Sequence, residues 1–170
     1  MAISMYQASV PVLVHVLSNL KSLLEKGVAH AEARKIDPAV LLGGRLYPDM
    51  FALCRQVQIA SDTAKGGVAR LAGREAPKYE DNETSFAELI ARLEKTIDYI
   101  RSVPEAEING SEERPIVLTL PSRTLTFKGL DYLQNFVIPN VYFHEVTTYG
   151  ILRHNGVELG KQDFLGPIQP

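Results

Sequence analysis

Ser85-Phe86-Ala87-Glu88-Leu89-Ile90-Ala91-Arg92-Leu93-Glu94-Lys95-Thr96-Ile97-Asp98-Tyr99-Ile100-Arg101-Ser102-Val103-Pro104 is the stretch from which the fold is read. Ser85 and Glu88 have the spacing of a capping box, in which each side chain bonds the other's backbone N–H. Phe86, Leu89, Ile90, Leu93, Ile97, Ile100 and Val103 recur at steps of three and four, the apolar face of one helix. Pro104 ends it. A helix with so clean a stripe has to bury it against partners.

Upstream, a polar connection from Ala76 to Asn82, containing Pro77, separates this helix from another long one. That helix is read from Pro48-Asp49 to Gly73, with the rail Met50, Leu53, Val57, Ala60, Ala64, Val68 and Leu71. Gln56 sits beside the rail, among the small residues Ala60, Ser61 and Ala64. Further back, Asp37-Pro38 opens a short helix stopped by Gly43-Gly44. The first long helix carries Ile3, Tyr6, Val10, Leu13, Leu17, Leu20, Leu24 and Val28 on one face. Pro11 either kinks it or marks its start, with Ser9 or Val10 as the cap. His15, towards the side of this stripe, and His30, near its end, are given structural or solvent roles.

Downstream, the helical period breaks from Glu105 to Gly129. Ile116 to Leu120 and Thr124 to Phe127, separated by Pro121-Ser122-Arg123, read as a β-hairpin. The fourth long helix starts near Gly129 or Leu130 and ends at Gly156. Leu130, Leu133, Val137, Val141, Thr148 and Leu152 make its stripe, Asn140 and His144 fall on the same rail, and Pro139 bends it. The tail from Val157 to Pro170 reads as an extended segment over the bundle. The expected fold is an all-α four-helix bundle, one domain over 1–170, with a hairpin inserted before the last core helix.

The formal charge of -2 and the scattered Lys and Arg leave no basic stripe, so a nucleic-acid partner is not expected. The longest apolar runs fall well short of the ~20 residues a membrane span needs. Met1 to Met5 lack the basic region and small-residue cleavage site of a signal peptide, so the cytoplasm is the expected compartment. Cys54 is the single cysteine; it lies in a helical apolar pattern and reads as a small core residue rather than a nucleophile. Nucleophile-serine motifs, glycine-rich phosphate loops and Cys-x-x-Cys pairs are absent from the sequence.

Asn140 and His144, four residues apart, share one helix face. Two histidines at this spacing chelate a transition metal, but a neutral amide is a much poorer ligand than imidazole. By spacing alone the two read as a hydrogen-bonded core pair. Tyr142 and Tyr149 flank them and read as aromatic packing. Asp49, Asp62 and Glu145 read as surface or capping carboxylates.

Asn140-Val141-Tyr142-Phe143-His144-Glu145, followed by Gly150-Ile151-Leu152-Arg153-His154-Asn155-Gly156, resembles the last core helix of the DinB/YfiT-like bundles. With Leu46-Tyr47-Pro48-Asp49-Met50-Phe51 and Gly160-Lys161-Gln162-Asp163-Phe164-Leu165-Gly166, the resemblance is to an uncharacterised domain-of-unknown-function branch of that superfamily. It implies a DinB-like bundle, in a group that includes metal-dependent enzymes and thiol-linked transferases. The three histidines of the family's metal site fall here on Gln56, Asn140 and His144, so His144 is the one retained ligand. What the resemblance implies is a degenerate site: a polar inter-helical pocket for an unknown small molecule, with Tyr142, Thr148 and Tyr149 as further lining and at most a weakly bound divalent metal. The competing readings are a divalent-metal-dependent hydrolase or transferase, and an interaction protein that forms a homodimer through the 116–127 hairpin or a helix face.

Overall fold

Ser4, rather than Ser9 or Val10, caps the first helix. Its hydroxyl accepts from Gln7 N while Gln7 Oε1 accepts from Ser4 N, both at 3.2 Å, and α1 (Met5–Arg34) begins there. Pro11 lies inside α1 at an exposed position, where water can take the carbonyl that loses its donor, so the helix runs through it. Ile3 stays outside the helix and exposed. This computed structural model describes residues 2–120 and 122–167; Pro121 of the hairpin turn and residues 168–170 of the tail lie outside the described residues.

The short helix α2 (Pro38–Leu42) follows the Asp37 cap, whose carboxylate accepts from Ala39 N at 3.0 Å. Helix α3 (Leu53–Leu71) begins later than Pro48-Asp49. Residues 43–52 form a loop that exposes Tyr47 and Phe51 and rejoins the bundle where Leu53 N donates to Gly44 O at 2.8 Å. Met50 therefore drops off the rail, while Leu53, Val57, Ala60, Ala64, Val68 and Leu71 are fully buried. Helix α4 (Phe86–Ser102) carries the capping box read from its sequence: Glu88 N donates to Ser85 Oγ at 3.2 Å and Ser85 N to Glu88 Oε2 at 3.0 Å.

After the single turn α5 (Glu105–Ile108) come the antiparallel strands β1 (Pro115–Leu120) and β2 (Arg123–Lys128), with Ile116 opposite Phe127 and Leu118 opposite Leu125. Ile116 and Leu118 are buried, and the Phe127 ring lies 5.7 Å from Tyr132 and 5.9 Å from Phe136. The hairpin is thus seated on the bundle by its apolar face, with Val117 exposed on the other.

The last core helix comes in three parts: α6 (Gly129–Tyr132), a π turn (Leu133–Val137) and α7 (Ile138–His154). The interruption foreseen at Pro139 is this wider turn just ahead of it. One extra residue per π turn rotates the remainder of the helix by about 100° relative to an unbroken α-helix. A rail extrapolated from Leu130 to Asn140 therefore loses phase, and Leu130 is exposed. Gly67 of α3 faces the π turn so closely that a Cβ there would stand 2.6 Å from Val137 Cγ1.

Helices α1 and α3 each pack against α4 and α7, so four long helices enclose one apolar core. A fifth element, α8 (Lys161–Leu165), crosses α1 and α7. Its Phe164 ring sits 6.4 Å from Tyr142 and 6.3 Å from Tyr149. Gly166 follows with φ +70, tight against the Asn19 side chain. Among the described residues no helix is long and apolar enough to cross a membrane.

Candidate functional site

Helices α3 and α7 pack against each other along most of their length, and they bring Gln56 and His144 together. Gln56 Nε2 donates to Phe51 O at 3.0 Å, which orients the amide so that Oε1 faces His144 Nδ1 at 2.6 Å. An amide oxygen only accepts, so Nδ1 carries the proton and Nε2 keeps its lone pair. Burial, helped by the Arg55 charge, pushes the imidazole down to about 4. His144 is therefore neutral around pH 7, with 7% of its surface exposed.

Asn140 does not join the pair. It is half-buried at the edge of α7, and its Nδ2 donates to Phe136 O at 3.0 Å, one turn back. Asn140 and His144 remain four residues apart on α7, but the Asn140 amide folds back onto the Phe136 carbonyl of the preceding turn instead of reaching towards α3. Thr148 is buried, but its hydroxyl donates to His144 O at 2.9 Å and is satisfied within the helix. Tyr142 and Tyr149 face Phe164 of α8.

The three residues do not fit a tightly held divalent metal. Gln56 and His144 spend their facing atoms on each other, the Asn140 amide turns to backbone, and two of the donors are neutral amides. Among the described residues no group of three or more His, Cys, Asp or Glu is placed to hold a metal ion.

Beside the His144–Gln56 pair lie both the Arg55 charge and aromatic side chains. Phe143 meets the His144 ring edge-on at 5.1 Å, Leu46 packs beside Gly150, and Phe51 supplies the carbonyl that holds Gln56. Leu46, Phe51 and Phe143 are all exposed, as are Tyr47 and Val146. The larger surface grooves lie elsewhere. One of about 840 Å³ runs along α1 between Arg101 and Leu165, and one of about 460 Å³ opens beside Tyr79, Arg92 and Lys95.

Two features escaped the sequence reading. Glu145, expected at the surface or as a cap, is fully buried, and neither carboxyl oxygen has a hydrogen-bond partner among the described residues. Burial alone pushes its carboxyl up to about 8, so it is mostly protonated at neutral pH. The signal was present in the spacing, since Val141, Glu145, Thr148 and Leu152 share one face.

The second feature is a buried arginine. Arg92 sits three residues after Leu89 on the α4 rail. Its Nε donates to Ser61 Oγ at 3.1 Å, Nη1 to Glu83 Oε1 at 2.8 Å and Glu80 O at 3.1 Å, and Nη2 to Asp62 Oδ1 at 2.8 Å, with Asp81 Oδ1 at 3.0 Å. Lys65 Nζ reaches Asp62 at 2.8 Å and lies 3.6 Å over the Tyr79 ring. Burial would raise the Glu83 carboxyl, but hydrogen bonds from Arg92 and Gln58 outweigh it and hold it below the usual range. This network ties the 76–83 connection, which has no regular structure, onto α3 and α4. Cys54 donates its Sγ hydrogen to Glu83 O at 3.4 Å, and burial followed by the Glu83 charge pushes its thiol up, which disfavours the nucleophilic thiolate.

Compared with known proteins, residues 5–165 match the family described as "Domain of unknown function (DUF1993)". No curated protein matches. Among solved structures, a DinB family member protein from Shewanella denitrificans is similar over 96% of this chain and 92% of that chain, with 44% identity and a TM-score of 0.86.

Proposed function

Since the chain belongs to the DUF1993 family and shares the fold of a DinB family member, we propose that it is a ligand-binding bundle whose site is centred on His144. The observation that carries this reading is the 2.6 Å bond from His144 Nδ1 to Gln56. That bond fixes the tautomer and leaves Nε2 as an acceptor, in an imidazole that burial keeps neutral. An acceptor beside the exposed Phe143 ring, with the exposed Phe51 bonded through its carbonyl to Gln56, suits a small, mostly apolar molecule with a single hydroxyl or N–H donor.

1-Naphthol and naphthalene test the reading directly, since they differ by one donor. Wild-type protein should bind 1-naphthol about tenfold more tightly by titration calorimetry, worth ~1.4 kcal/mol. His144→Leu should keep the helical circular dichroism and lose that preference. Equal affinities in the wild type would overturn the proposal. Metal analysis after purification without chelators should find well under one equivalent; a stoichiometric metal lost in His144→Leu would favour the metal-dependent hydrolase or transferase instead.

The exposed apolar residues also favour a second reading, a homodimer that meets over the outer face of α7. Sedimentation equilibrium at micromolar concentration decides it. A dimer dispersed by Val146→Glu supports this reading, and a monomeric wild type removes it.

A further inference from the structure

Tyr142, Glu145 and Tyr149 are spaced by three and four along α7, so they share one face of that helix. Phe164 lies about equally far from both tyrosine rings, at 6.4 Å and 6.3 Å, on the face of α7 that carries Glu145 between them. Glu145 is fully buried with two acceptor oxygens and no donor for either among the described residues. A buried polar group left without a partner is costly and uncommon in a folded protein.

The cover over this seam is lightly attached. Helix α8 has five residues, none of them buried. It is held to α1 by polar contacts: His15 Nε2 donates to Leu165 O at 2.7 Å, Asn19 Nδ2 to Phe164 O at 3.0 Å, and Lys26 pairs with Asp163 at 2.6 Å. The Lys26–Asp163 pair lies at the surface and contributes little to stability.

We infer that the α1–α7 seam beneath α8 is a binding site for a primary arylalkylammonium, with Phe164 as its built-in competitor. The aryl group takes the place of Phe164 between Tyr142 and Tyr149, and the ammonium supplies the donors that Glu145 lacks. Tyrosine faces attract a cation as well as an aromatic ring, so the seat suits both ends of such a ligand. The charge balances by exchange: the Glu145 carboxyl gives up its proton to solvent as the ammonium arrives, and the pair is then carboxylate and cation.

The probe is 2-phenylethylammonium, followed by titration calorimetry. Phe164→Ala, which removes the competitor, should bind it about tenfold more tightly than the wild type. Adding Glu145→Gln should weaken that binding about tenfold. Equal affinity with and without Glu145→Gln, or no gain from Phe164→Ala, overturns the assignment. Should Phe164→Ala fail to fold, amide NMR of the wild type at millimolar probe decides: shifts centred on Tyr142 to Tyr149 that vanish in Glu145→Gln support the site, and any other pattern removes it.

Discussion

At the scale of single residues, His144 and Glu145 are consecutive and reach opposite ends of the titration range for the same reason, loss of water. Burial lowers the imidazole to about 4 and raises the carboxyl to about 8. The His144 value rests on a neutral partner, because Gln56 accepts the Nδ1 hydrogen without offering a charge. Replacing that partner by a carboxylate should reverse the shift. In Gln56→Glu the His144 imidazole should titrate above its ordinary 6.5, followed by NMR of the ring nitrogens. Titration still near 4 would mean that position 56 does not face Nδ1.

At the scale of elements, two joints are open to test. The first is α3 against the π turn at Gly67. An alanine there gains up to ~1 kcal/mol of helix propensity, yet its Cβ stands 2.6 Å from Val137 Cγ1, and overpacking costs about 1–3 kcal/mol. Gly67→Ala should therefore lose about 1–2 kcal/mol in urea unfolding; a gain in stability would show that the two segments are further apart. The second joint is the Arg92 network. Arg92→Met leaves Asp62, Asp81 and Glu83 facing one another without their shared cation. Breaking a buried pair costs about 3–5 kcal/mol, and the partial exposure of Asp62 and Asp81 places this change at the low end, about 3 kcal/mol. Hydrogen exchange should rise first in residues 76–85.

These joints also mark where sequence reading works and where it stops. The α4 stripe and the Ser85–Glu88 cap were legible because both are local, set by residues within one or two turns. The π turn was not, because nothing in Leu133-Gln134-Asn135-Phe136-Val137 breaks the apolar pattern; the register slips while the residue types stay helical. That slip took Leu130 out of phase with α7, and the Asn140 amide turned back to the Phe136 carbonyl, whereas Gln56 and His144 met as the resemblance implied. Glu145 and Arg92 sat on apolar rails in plain view. A lone charge on such a rail reads as a boundary of the core until the packing around it is known.

At the scale of the whole molecule, the two buried titrations add up to a pH profile. Unfolding frees Glu145 to ionise at its ordinary 4.5 rather than at about 8, so its contribution to stability falls as pH rises across that interval. His144 acts in the other direction: the unfolded chain takes up a proton at 6.5 and the folded one only at about 4, so stability falls as pH drops between them. From 4.5 to 6.5 the two slopes oppose, and above 6.5 Glu145 acts alone. Stability should hold level near pH 5–6 and lose about 2 kcal/mol by pH 8 at ~1.4 kcal/mol per pH unit. Glu145→Gln should abolish the alkaline decline in urea titrations; a decline that persists would assign it to another group.

The contact of α8 with α1 has a further consequence in time. His15 and Leu165 stand 150 positions apart in sequence, and Gly166 has to pass close to Asn19 for α8 to settle. Closing so long a loop is entropically dear, so this contact should form after the rate-limiting step and be the first released. Gly166→Ala, strained by a positive φ and by the nearby Asn19 side chain, should accordingly quicken unfolding and leave the refolding rate unchanged in stopped-flow measurements. Slower refolding would place the chain's two extremities together already in the folding nucleus.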